Sequence, residues 1–590
     1  MEKLKALRNL MKERGLDAYV ILSGDAHASE YVTGYWKARV WFSGFTGSSG
    51  TVVVTHDEAG LWTDGRYFIQ AEQELAGTGI ALFKMGVPGV PKYREYLAEK
   101  LPANGKLGFD GRVVDMKEYK DICEALSAKD ITYIYNEDLI GLIWDNRPTL
   151  PTTPAFEHEL PFAGMPAAEK LAVIRAEMAK HNVSSYLVVA LDDIAWLMNI
   201  RGKDMPHTPV VYAYALITAD KADVFIDRSK VAKFTANLDA QGFTLHDYDE
   251  LTNVLSKLPI DGTLLYNPKK TNMLLIDALP KSLLTKCDLP VDIITGLKAV
   301  KSETELSNTR NAYIKESVAL VRFHKWLEEV PDISAITEED TVKKLTDLRT
   351  QQPDFLEDSF STIAAYGANA AQAHYNPKGK GVSLKPEGFL LVDTGGQYLD
   401  GTTDTTRTIP VGPITEEMKH HFTLVLKGYI AIDQVVFPKG TSGVQLDALA
   451  RTPLWRHGLD YRHGTGHGIG YCLSVHEGPH GISSKSEVEF VPGMLVSVEP
   501  AFYKDGEYGI RTENIVEVCE HSETEYGKFY GFRPLMYCPV NKSAIIPGLL
   551  TKGEIAHLNA YHQKTYELLS PLLTEDERIW LYEATLPISS

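Results

Sequence analysis

The chain opens with apolar residues at helical spacing, followed by a short apolar strand. Four of these residues fall on one helical face: Leu4, Leu7, Leu10 and Met11. Gly15 then takes the position at which a left-handed residue commonly ends a helix. Residues 18–22 form an apolar run without a polar interruption, which predicts a buried strand. The pattern therefore predicts the start of an α/β domain.

A second copy of this order begins about 155 to 167 residues later. Three apolar residues again have helical spacing: Val173, Ile174 and Met178. Asn182 then corresponds to Gly15, and residues 186–190 are strand-like. Each copy continues through a tryptophan, a β-rich segment and an aspartate, namely Trp41, 51–55 and Asp64 in the first and Trp196, 210–217 and Asp227 in the second. The repetition predicts two homologous α/β domains in tandem.

Two boundaries separate these domains from each other and from the rest of the chain. Five prolines between residues 146 and 166 predict an extended linker, because proline restricts both its own backbone and that of its predecessor. Further on, Ser302 and Glu305 match a capping box that opens a helix predicted to run through Trp326. We therefore expect an α/β (α+β) protein with domains at residues 1–155, 156–298 and 299–590.

The composition argues against several classes of protein. With 60 basic and 78 acidic residues among 590, the formal charge is −18, which disfavours contact with nucleic acid or anionic lipid. No apolar run reaches the roughly 18 residues of a membrane span, and the charged N-terminal segment does not resemble a secretory signal. Five scattered cysteines fit a reducing compartment. The expected location is the cytoplasm.

Two aspartates accompany predicted strands in the third domain. The segment GFLLVDTGG, residues 388–396, is an apolar strand that reaches Asp393, with a turn predicted at Gly395–Gly396. The return strand, predicted at residues 398–409, contains Asp404. The two carboxylates can face one another across this hairpin. Burying both is costly unless a cation or a proton compensates.

A glycine-rich segment, HGTGHGIG at residues 463–470, contains His463 and His467. Alternating glycines disfavour the helix of an H-x-x-x-H zinc motif and favour a loop or bulged strand. A phosphate-binding loop is a weak interpretation, because no Lys or Arg follows at P-loop spacing. A single histidine in such a loop is more often structural than a ligand. His476 follows a few residues later.

Two glutamates end or interrupt further apolar strands. The segment LVSVEP places Glu499 at a strand end, and alternation in residues 508–518 predicts Arg511 and Glu513 on one face. Each acid alone could be a salt-bridged core residue. Together, five residues form an oxygen-rich set with one imidazole: Asp393, Asp404, His467, Glu499 and Glu513. Such a set suits two divalent cations, most favourably Mn²⁺, with Co²⁺ or Zn²⁺ as alternatives.

The order and spacing of these residues resemble the pita-bread metallopeptidases, which include methionine aminopeptidase, prolidase and aminopeptidase P. The family pattern H-x-x-x-H-G-[IL]-G is present around the histidine, and G-x-R-x-E is present at the last glutamate. The doubled N-terminal domain and the segment HGTGHGIGYCLSVHEGP, residues 463–479, are most similar to the three-domain Xaa-Pro aminopeptidases. The resemblance spans essentially the whole chain. It implies two creatinase-like domains followed by a pita-bread catalytic domain with a C-terminal extension.

The resemblance also implies roles for the matching residues. Asp404 and Glu513 would bridge two metal ions. Asp393 would complete one site, and His467 with Glu499 the other. Five further positions match residues that surround the metals in this family: His374, His463, His476, Tyr503 and Arg511.

These five surrounding residues have separate implied functions. His374 matches an upstream active-site histidine, and His463 matches one beside the proline pocket. His476 matches the histidine that steadies the tetrahedral intermediate. Tyr503 and Arg511 match positions behind the ligands, where an arginine can hold carboxylates by bidentate pairing.

The implied activity is hydrolysis of the bond between an N-terminal residue and a proline in second position. Two cations about 3.5 Å apart activate one water and polarise the scissile carbonyl, with Glu499 as the base. The resemblance further implies a homodimer formed with the C-terminal extension. Three alternatives stay open: a prolidase restricted to dipeptides, a creatinase-type hydrolase without metals, and a non-enzymatic binding module.

Overall fold

The computed structural model of the chain describes residues 2–377 and 379–589, which form two compact units. The first unit comprises residues up to 157, 165–206 and 210–294. The second comprises residues 158–164, 207–209 and those from 295 onward. Among the described residues, no helix combines the length and the apolar character needed to cross a bilayer.

The first unit contains two six-stranded sheets, each with helices around it. The first sheet and its helices are built from α1 (Glu2–Arg14), β1 (Ala18–Ile21), α2 (Ala38–Ser43), β2 (Thr51–Thr55), β3 (Ala59–Thr63), α3 (Phe68–Leu75), β4 (Ala81–Lys84), α4 (Tyr93–Lys100), β5 (Lys106–Phe109), α5 (Met116–Ala125), β6 (Thr132–Ile134) and α6 (Leu139–Ile143). The following segment contains β7 (Phe156–Glu157) and α7 (Leu160–Ala163), so the proline-rich stretch is only partly extended.

The second sheet repeats the first. The segment that forms it contains α8 (Ala167–Lys180), β8 (Ser185–Val188), α9 (Leu191–Met198), β9 (Ile200–Arg201), β10 (Ala213–Thr218), β11 (Ala222–Ile226), α10 (Thr235–Ala240), β12 (Thr244–His246), α11 (Leu251–Leu255), β13 (Thr263–Leu265), α12 (Met273–Asp277), β14 (Leu284–Lys286) and α13 (Ile293–Ala299). Outside this sheet, β9 pairs with β7, and α13 continues into the second unit. The strand orders are β4-β3-β2-β1-β5-β6 and β12-β11-β10-β8-β13-β14. Every corresponding pair of neighbours has the same parallel or antiparallel sense.

The predicted tandem repeat is therefore confirmed, and its helix stops are the predicted residues. Gly15 follows α1 at φ 63°, and Asn182 follows α8 at φ 55°. Glycine and asparagine tolerate this left-handed conformation better than other residues, which is why the two positions signal a helix end.

The second unit contains six long helices and five small sheets. The helices are α14 (Glu303–Glu329), α15 (Glu338–Thr350), α16 (Glu416–Asp433), α17 (Gly443–Trp455), α18 (Lys552–Leu569) and α19 (Glu575–Ala584). The strands are β15 (Phe355–Asp358), β16 (Ile363–Tyr366), β17 (Phe389–Thr394), β18 (Gly396–Tyr398), β19 (Gly401–Thr402), β20 (Thr405–Pro410), β21 (Val436–Pro438), β22 (Gly466–His467), β23 (Gly481–Ile482), β24 (Leu495–Val498), β25 (Ala501–Lys504), β26 (Tyr508–Arg511), β27 (Asn514–Thr524) and β28 (Gly527–Pro534).

The strand that leads to Glu499 in the second unit, β24, is covered on both faces. On β24, Leu495 packs into an apolar cluster shared with α14 and α15. Its neighbours Val496 and Val498 pack into a second cluster shared with α16 and α17. A strand covered on both sides favours apolar residues on both faces, and Ser497 is the polar exception, whose hydroxyl accepts the amide of His467. The sheets therefore bring the ends of several buried strands together between two helical layers.

Candidate metal centre

Asp393 and Asp404 lie on neighbouring segments of one hairpin, but the turn differs from the predicted one. Gly396 begins β18, and the chain reverses beyond the pair Tyr398–Gly401. Asp393 is the fifth residue of β17 and pairs with Thr406 on β20, while Asp404 lies just before β20 rather than inside a continuous strand. The prediction of a turn at Gly395–Gly396 is wrong. Position 395 needs a glycine because the backbone of another segment packs against it. A Cβ on Gly395 would lie 2.0 Å from the carbonyl oxygen of Thr403.

His467 is held in a two-residue strand by close backbone packing. A Cβ on the preceding Gly466 would lie 1.8 Å from the carbonyl oxygen of Ser497, so only glycine fits there. The amide of His467 donates to Ser497 Oγ at 2.9 Å. Its Nδ1 lies 2.9 Å from the carbonyl oxygen of Gly468, which favours the Nδ1–H tautomer and leaves the Nε2 lone pair free to bind. The glycine-rich segment forms a loop with one two-residue strand and no helix, which agrees with the prediction of a loop or bulged strand.

Glu499 and Glu513 occupy equivalent breaks in two antiparallel strands. Glu499 directly follows β24, and Glu513 directly precedes β27. These two strands pair with each other, and Val498 lies opposite Asn514. The single strand predicted at residues 508–518 is interrupted at Thr512 and Glu513. Because each acid lies where strand pairing stops, its side chain need not follow the alternation of side chains between the two faces of a sheet.

These five residues converge. Asp404, His467 and Glu513 each offer one ligand atom within 4.8 Å of the others. His467 Nε2 lies 3.4 Å from Asp404 Oδ2 and 3.5 Å from Glu499 Oε1. Asp393 adjoins the group through Arg511, whose Nη2 lies 2.6 Å from Asp393 Oδ2.

The pKa values of three carboxyl groups in this cluster are raised, which shows that too little positive charge lies near them. Burial, followed by repulsion from Asp404, raises the pKa of Glu513 well above its ordinary value. Burial raises the pKa of Glu499 to about 7, although His467 and Arg511 partly oppose the shift. Burial likewise raises the pKa of Asp393, against the attraction of Arg511. Burial lowers the pKa of His467, but the hydrogen bond to Asp404 and the charge of Glu499 raise it to about 9.

The residues fit a pair of divalent cations. Crowded carboxylates with raised pKa values need protons or cations, and a cation satisfies several of them at once. Asp393 Oδ1 is buried without a hydrogen-bond partner, as a ligand oxygen awaiting a metal would be. His467 presents its Nε2 to the same space as the oxygens of Asp404 and Glu499. Oxygen atoms dominate the donor set.

Arg511, Tyr503 and Thr406 form a hydrogen-bonded network with the carboxylates. Arg511 Nη1 donates to the hydroxyl of Tyr503 at 2.6 Å, and its Nε donates to Thr406 Oγ1 at 3.2 Å. Thr406 Oγ1 donates to Glu513 Oε2 at 2.6 Å. Arg511 and Thr406 therefore connect the outer aspartate, Asp393, to Glu513. Thr406 was missed in the sequence, although its position two residues after Asp404 on a strand was an available signal.

The predicted histidines lie around this group. His463 Nδ1 lies 2.7 Å from the carbonyl oxygen of Gly464, and its Nε2 lies 2.9 Å from the Tyr503 hydroxyl. Burial, the charge of Arg511 and, less strongly, that of His374 lower the pKa of His463 to about 3, so its ring is neutral. The ring of His476 meets that of His467 edge-to-face, with centroids 4.3 Å apart. His374 lies in the segment after β16, close enough to act on His463.

Comparison with known sequence families covers most of the chain. Residues 307–520 match metallopeptidase family M24, and residues 528–588 match the C-terminal region of peptidase M24. Residues 3–137 and 146–305 each match the creatinase/prolidase N-terminal domain. Aminopeptidase P2 of Arabidopsis thaliana is 38% identical over 629 residues, covering 100% of this chain and 88% of that protein. A probable Xaa-Pro aminopeptidase P of Colletotrichum graminicola is 39% identical and covers 99% of both chains.

Solved structures give the same picture. The X-prolyl aminopeptidase of Caenorhabditis elegans, a cytosolic enzyme with a di-nuclear active site, matches with a TM-score of 0.93 and 33% identity. The match covers 100% of this chain and 99% of that one. A prolidase from Thermococcus sibiricus matches with a TM-score of 0.52 and 20% identity, covering 64% of this chain and 98% of the prolidase. At that identity the prolidase shows a shared fold only.

Proposed function

This chain belongs to the aminopeptidase P group of metallopeptidase family M24, and we propose that it is an Xaa-Pro aminopeptidase. It hydrolyses the bond between an N-terminal residue and a proline in second position. One observation carries the proposal: four carboxylates and one imidazole, each in or next to a different strand, lie together, with Asp404 and Glu513 buried and the other three partly buried. The relatives support it because they align over essentially the whole chain.

Family membership confirms the predicted fold class. Two tandem creatinase-like α/β domains precede a pita-bread catalytic domain. The domain boundaries at residues 1–155, 156–298 and 299–590 stay a proposal, supported by the repeated sheets and by the capping box that opens α14.

We assign the five clustered residues to two divalent cations. Asp404 and Glu513 would contribute ligands to both cations. Asp393 would complete one site, and His467 with Glu499 would complete the other. Mn²⁺ suits the oxygen-rich donors best, with Co²⁺ and Zn²⁺ as alternatives. When bound, the cations polarise the scissile carbonyl and make a water nucleophilic at neutral pH.

The surrounding side chains supply proton transfer and orientation. Glu499 accepts the proton of the attacking water on a carboxylate oxygen. His476, whose ring abuts that of His467, donates a hydrogen bond to the oxyanion that forms on the substrate. His463 is neutral and oriented by the Tyr503 hydroxyl, and it presents an uncharged ring to the proline of the substrate. His374 lies beside it and completes this side of the site.

The proposal extends to location and assembly. A cytoplasmic location is supported by the cytosolic C. elegans relative and by the acidic composition. We propose a homodimer with its contact in the C-terminal region, residues 528–588. The substrates are peptides with proline in second position; nucleic acid and membranes are not partners.

Prolidase is the second candidate, and substrate length distinguishes the two. The Thermococcus prolidase is matched over 98% of its length by only 64% of this chain, so the doubled N-terminal domain favours the aminopeptidase. The test compares release of the first amino acid from Gly-Pro and from a proline-second tripeptide, with an alanine-second tripeptide as control. We expect the proline-second tripeptide to be cleaved, with two metal ions bound per chain. Cleavage of Gly-Pro alone would identify a prolidase.

The ligand assignment has its own test. Asp404→Ala and Glu513→Ala should each lose bound metal and hydrolysis together. The matched control is Asp247→Ala, whose carboxylate is half-exposed and pairs with Arg228 in the first unit. Activity retained by either alanine variant contradicts the assignment. Metal binding without any hydrolysis by the unaltered chain would favour the binding-module alternative.

A further inference from the structure

A buried arginine lies behind the proposed metal site without an acidic partner. Arg407 is only 4% exposed, and on β20 it follows Thr406, so its side chain points to the opposite face of the strand. Among the described residues, its guanidinium forms no ion pair with a carboxylate. A buried cation of this kind is costly unless hydrogen bonds satisfy its donors. The burial of this positive charge therefore requires an explanation.

The two terminal nitrogens of the guanidinium donate to neutral oxygens, one of which belongs to Glu513, while its buried Nε has no hydrogen-bond partner among the described residues. Its Nη1 donates to the carbonyl oxygen of Glu513 at 2.6 Å and to that of Thr406 at 3.0 Å. Its Nη2 donates to Asn514 Oδ1 at 2.8 Å, to the Tyr561 hydroxyl at 3.1 Å and to the Cys538 carbonyl at 3.2 Å. One nitrogen thus contacts the backbone of the proposed bridging residue, and the other contacts the C-terminal region.

Glu513 is held at its amide, carbonyl and carboxylate groups. Its amide donates to the carbonyl oxygen of Thr406 at 3.1 Å. Its carbonyl accepts from Arg407 and from Thr405 Oγ1, the latter at 2.9 Å. Its carboxylate accepts from Thr406 Oγ1 at 2.6 Å. Since Glu513 lies in a strand break, where sheet pairing does not set its backbone, Arg407 and Thr405 together restrain its carbonyl.

Tyr561 holds Arg407 in turn. It lies on α18, and its hydroxyl accepts the amide of Cys538 at 3.1 Å as well as the guanidinium of Arg407. The hydroxyl proton is directed to the carbonyl oxygen of Met536 at 2.8 Å. Because several hydrogen bonds fix the position of this phenol oxygen, its hydrogen bond to Arg407 fixes the orientation of the guanidinium.

We infer that Tyr561 and Arg407 are positioning residues that fix Glu513 for metal binding, so that the C-terminal helix α18 controls the affinity of the site for its cations. The inference rests on the proposed function and gives the C-terminal region a role in the active site besides assembly. Partners behind metal ligands typically change metal affinity or activity by about 10- to 100-fold when they are removed.

The first test is Tyr561→Phe, measured by calorimetric titration of the metal-free protein with Mn²⁺. We expect Mn²⁺ to bind about tenfold more weakly, and kcat at limiting Mn²⁺ to fall while KM for the peptide is unchanged. Tyr537→Phe is the matched control. Its ring stacks on Tyr561 with centroids 5.8 Å apart, but its hydroxyl is not part of the contacts to Arg407 or Glu513. It should bind Mn²⁺ like the unaltered chain.

A second variant separates charge from geometry. Arg407→Lys keeps the positive charge but cannot span both the Glu513 carbonyl and Tyr561, so Mn²⁺ affinity should fall about a hundredfold. Unchanged Mn²⁺ affinity in folded Tyr561→Phe, with only a lower melting temperature, overturns the inference. Equal weakening in Tyr537→Phe overturns it as well. If the unaltered chain bound no Mn²⁺, Co²⁺ or Zn²⁺, the metal centre itself would be refuted, which is a different result.

Discussion

Lys301 Nζ lies 2.8 Å from Glu477 Oε1, and the two side chains are 1% and 2% exposed. Lys298 Nζ lies 3.1 Å from the other oxygen of the same carboxylate. Glu477 directly follows His476, and its amide donates to the carbonyl oxygen of Gly468 at 2.8 Å, next to His467. Glu477 therefore connects the segments of the two histidines through its amide, and its carboxylate holds them against Lys298 and Lys301.

Glu477→Gln should lower kcat more than it changes KM. The substitution leaves two buried ammonium groups without their anion, so we expect about 3–5 kcal/mol lower stability. The displaced His476 should reduce kcat by about 10- to 100-fold. The control is Glu517→Gln, whose carboxylate also contacts two cations, Arg310 and Arg533. An equal loss of kcat in both variants would show a general effect of destabilisation.

Gly466→Ala should abolish activity, whereas Gly464→Ala should be tolerated. A Cβ at residue 466 would lie 1.8 Å from the Ser497 carbonyl oxygen and would push His467 out of position. At residue 464 the nearest atoms are 3.4 Å away, an ordinary contact. The comparison is made by peptide hydrolysis and by metal content of the purified variants. Full activity in Gly466→Ala would contradict the described packing.

Tyr503→Phe should reduce kcat/KM by about tenfold while metal content is retained. The lost hydroxyl accepts from Arg511 and orients His463, and leaving such a buried donor unsatisfied costs about 1–3 kcal/mol. The pair Arg511–Asp393 remains, so the metal site persists. Tyr526→Phe, at a position 84% exposed, is the control and should behave like the unaltered chain. A loss of metal in Tyr503→Phe would show that the hydroxyl also supports the ligands.

Metal affinity should fall as the pH is lowered below about 7. In the metal-free protein the pKa of Glu499 is raised to about 7, so below this pH its carboxylate holds a proton that a cation must displace. Above pH 7 the competition from the Glu499 proton disappears, but His467, with a pKa of about 9, still loses a proton on binding. Affinity should therefore fall about tenfold per pH unit between about pH 9 and 7, and more steeply below about pH 7. Competition with a chromogenic chelator measures this, and affinity independent of pH between 5.5 and 7 would refute it.

The local patterns in the sequence predicted the elements that short-range forces determine. The apolar run before Asp393 forms a buried strand, Ser302 and Glu305 form the capping box of α14, and Gly15 ends α1. Each of these features depends on neighbours within a few residues, so the sequence contains the whole signal.

Departures from prediction arose where distant parts of the chain determine the backbone. Gly395 looked like a turn residue, but it is needed because the Thr403 carbonyl packs against it. The strand predicted through residue 513 breaks at Thr512, where the chain leaves β26 and enters a different sheet at β27. Alternation alone cannot signal a change of sheet, because β26 and the first five residues of β27 are buried at every position.

The repeated N-terminal domains, the fold class and the acids and histidines that cluster could be predicted from sequence patterns. The side chains that hold those acids and histidines in place could not, because they come from distant parts of the chain. Lys298 and Glu477 are 179 residues apart, and Arg407 and Tyr561 are 154 apart. A lysine, glutamate, arginine or tyrosine has no local signature of burial, and the hydrogen bonds that satisfy its polar atoms form only when remote segments pack together.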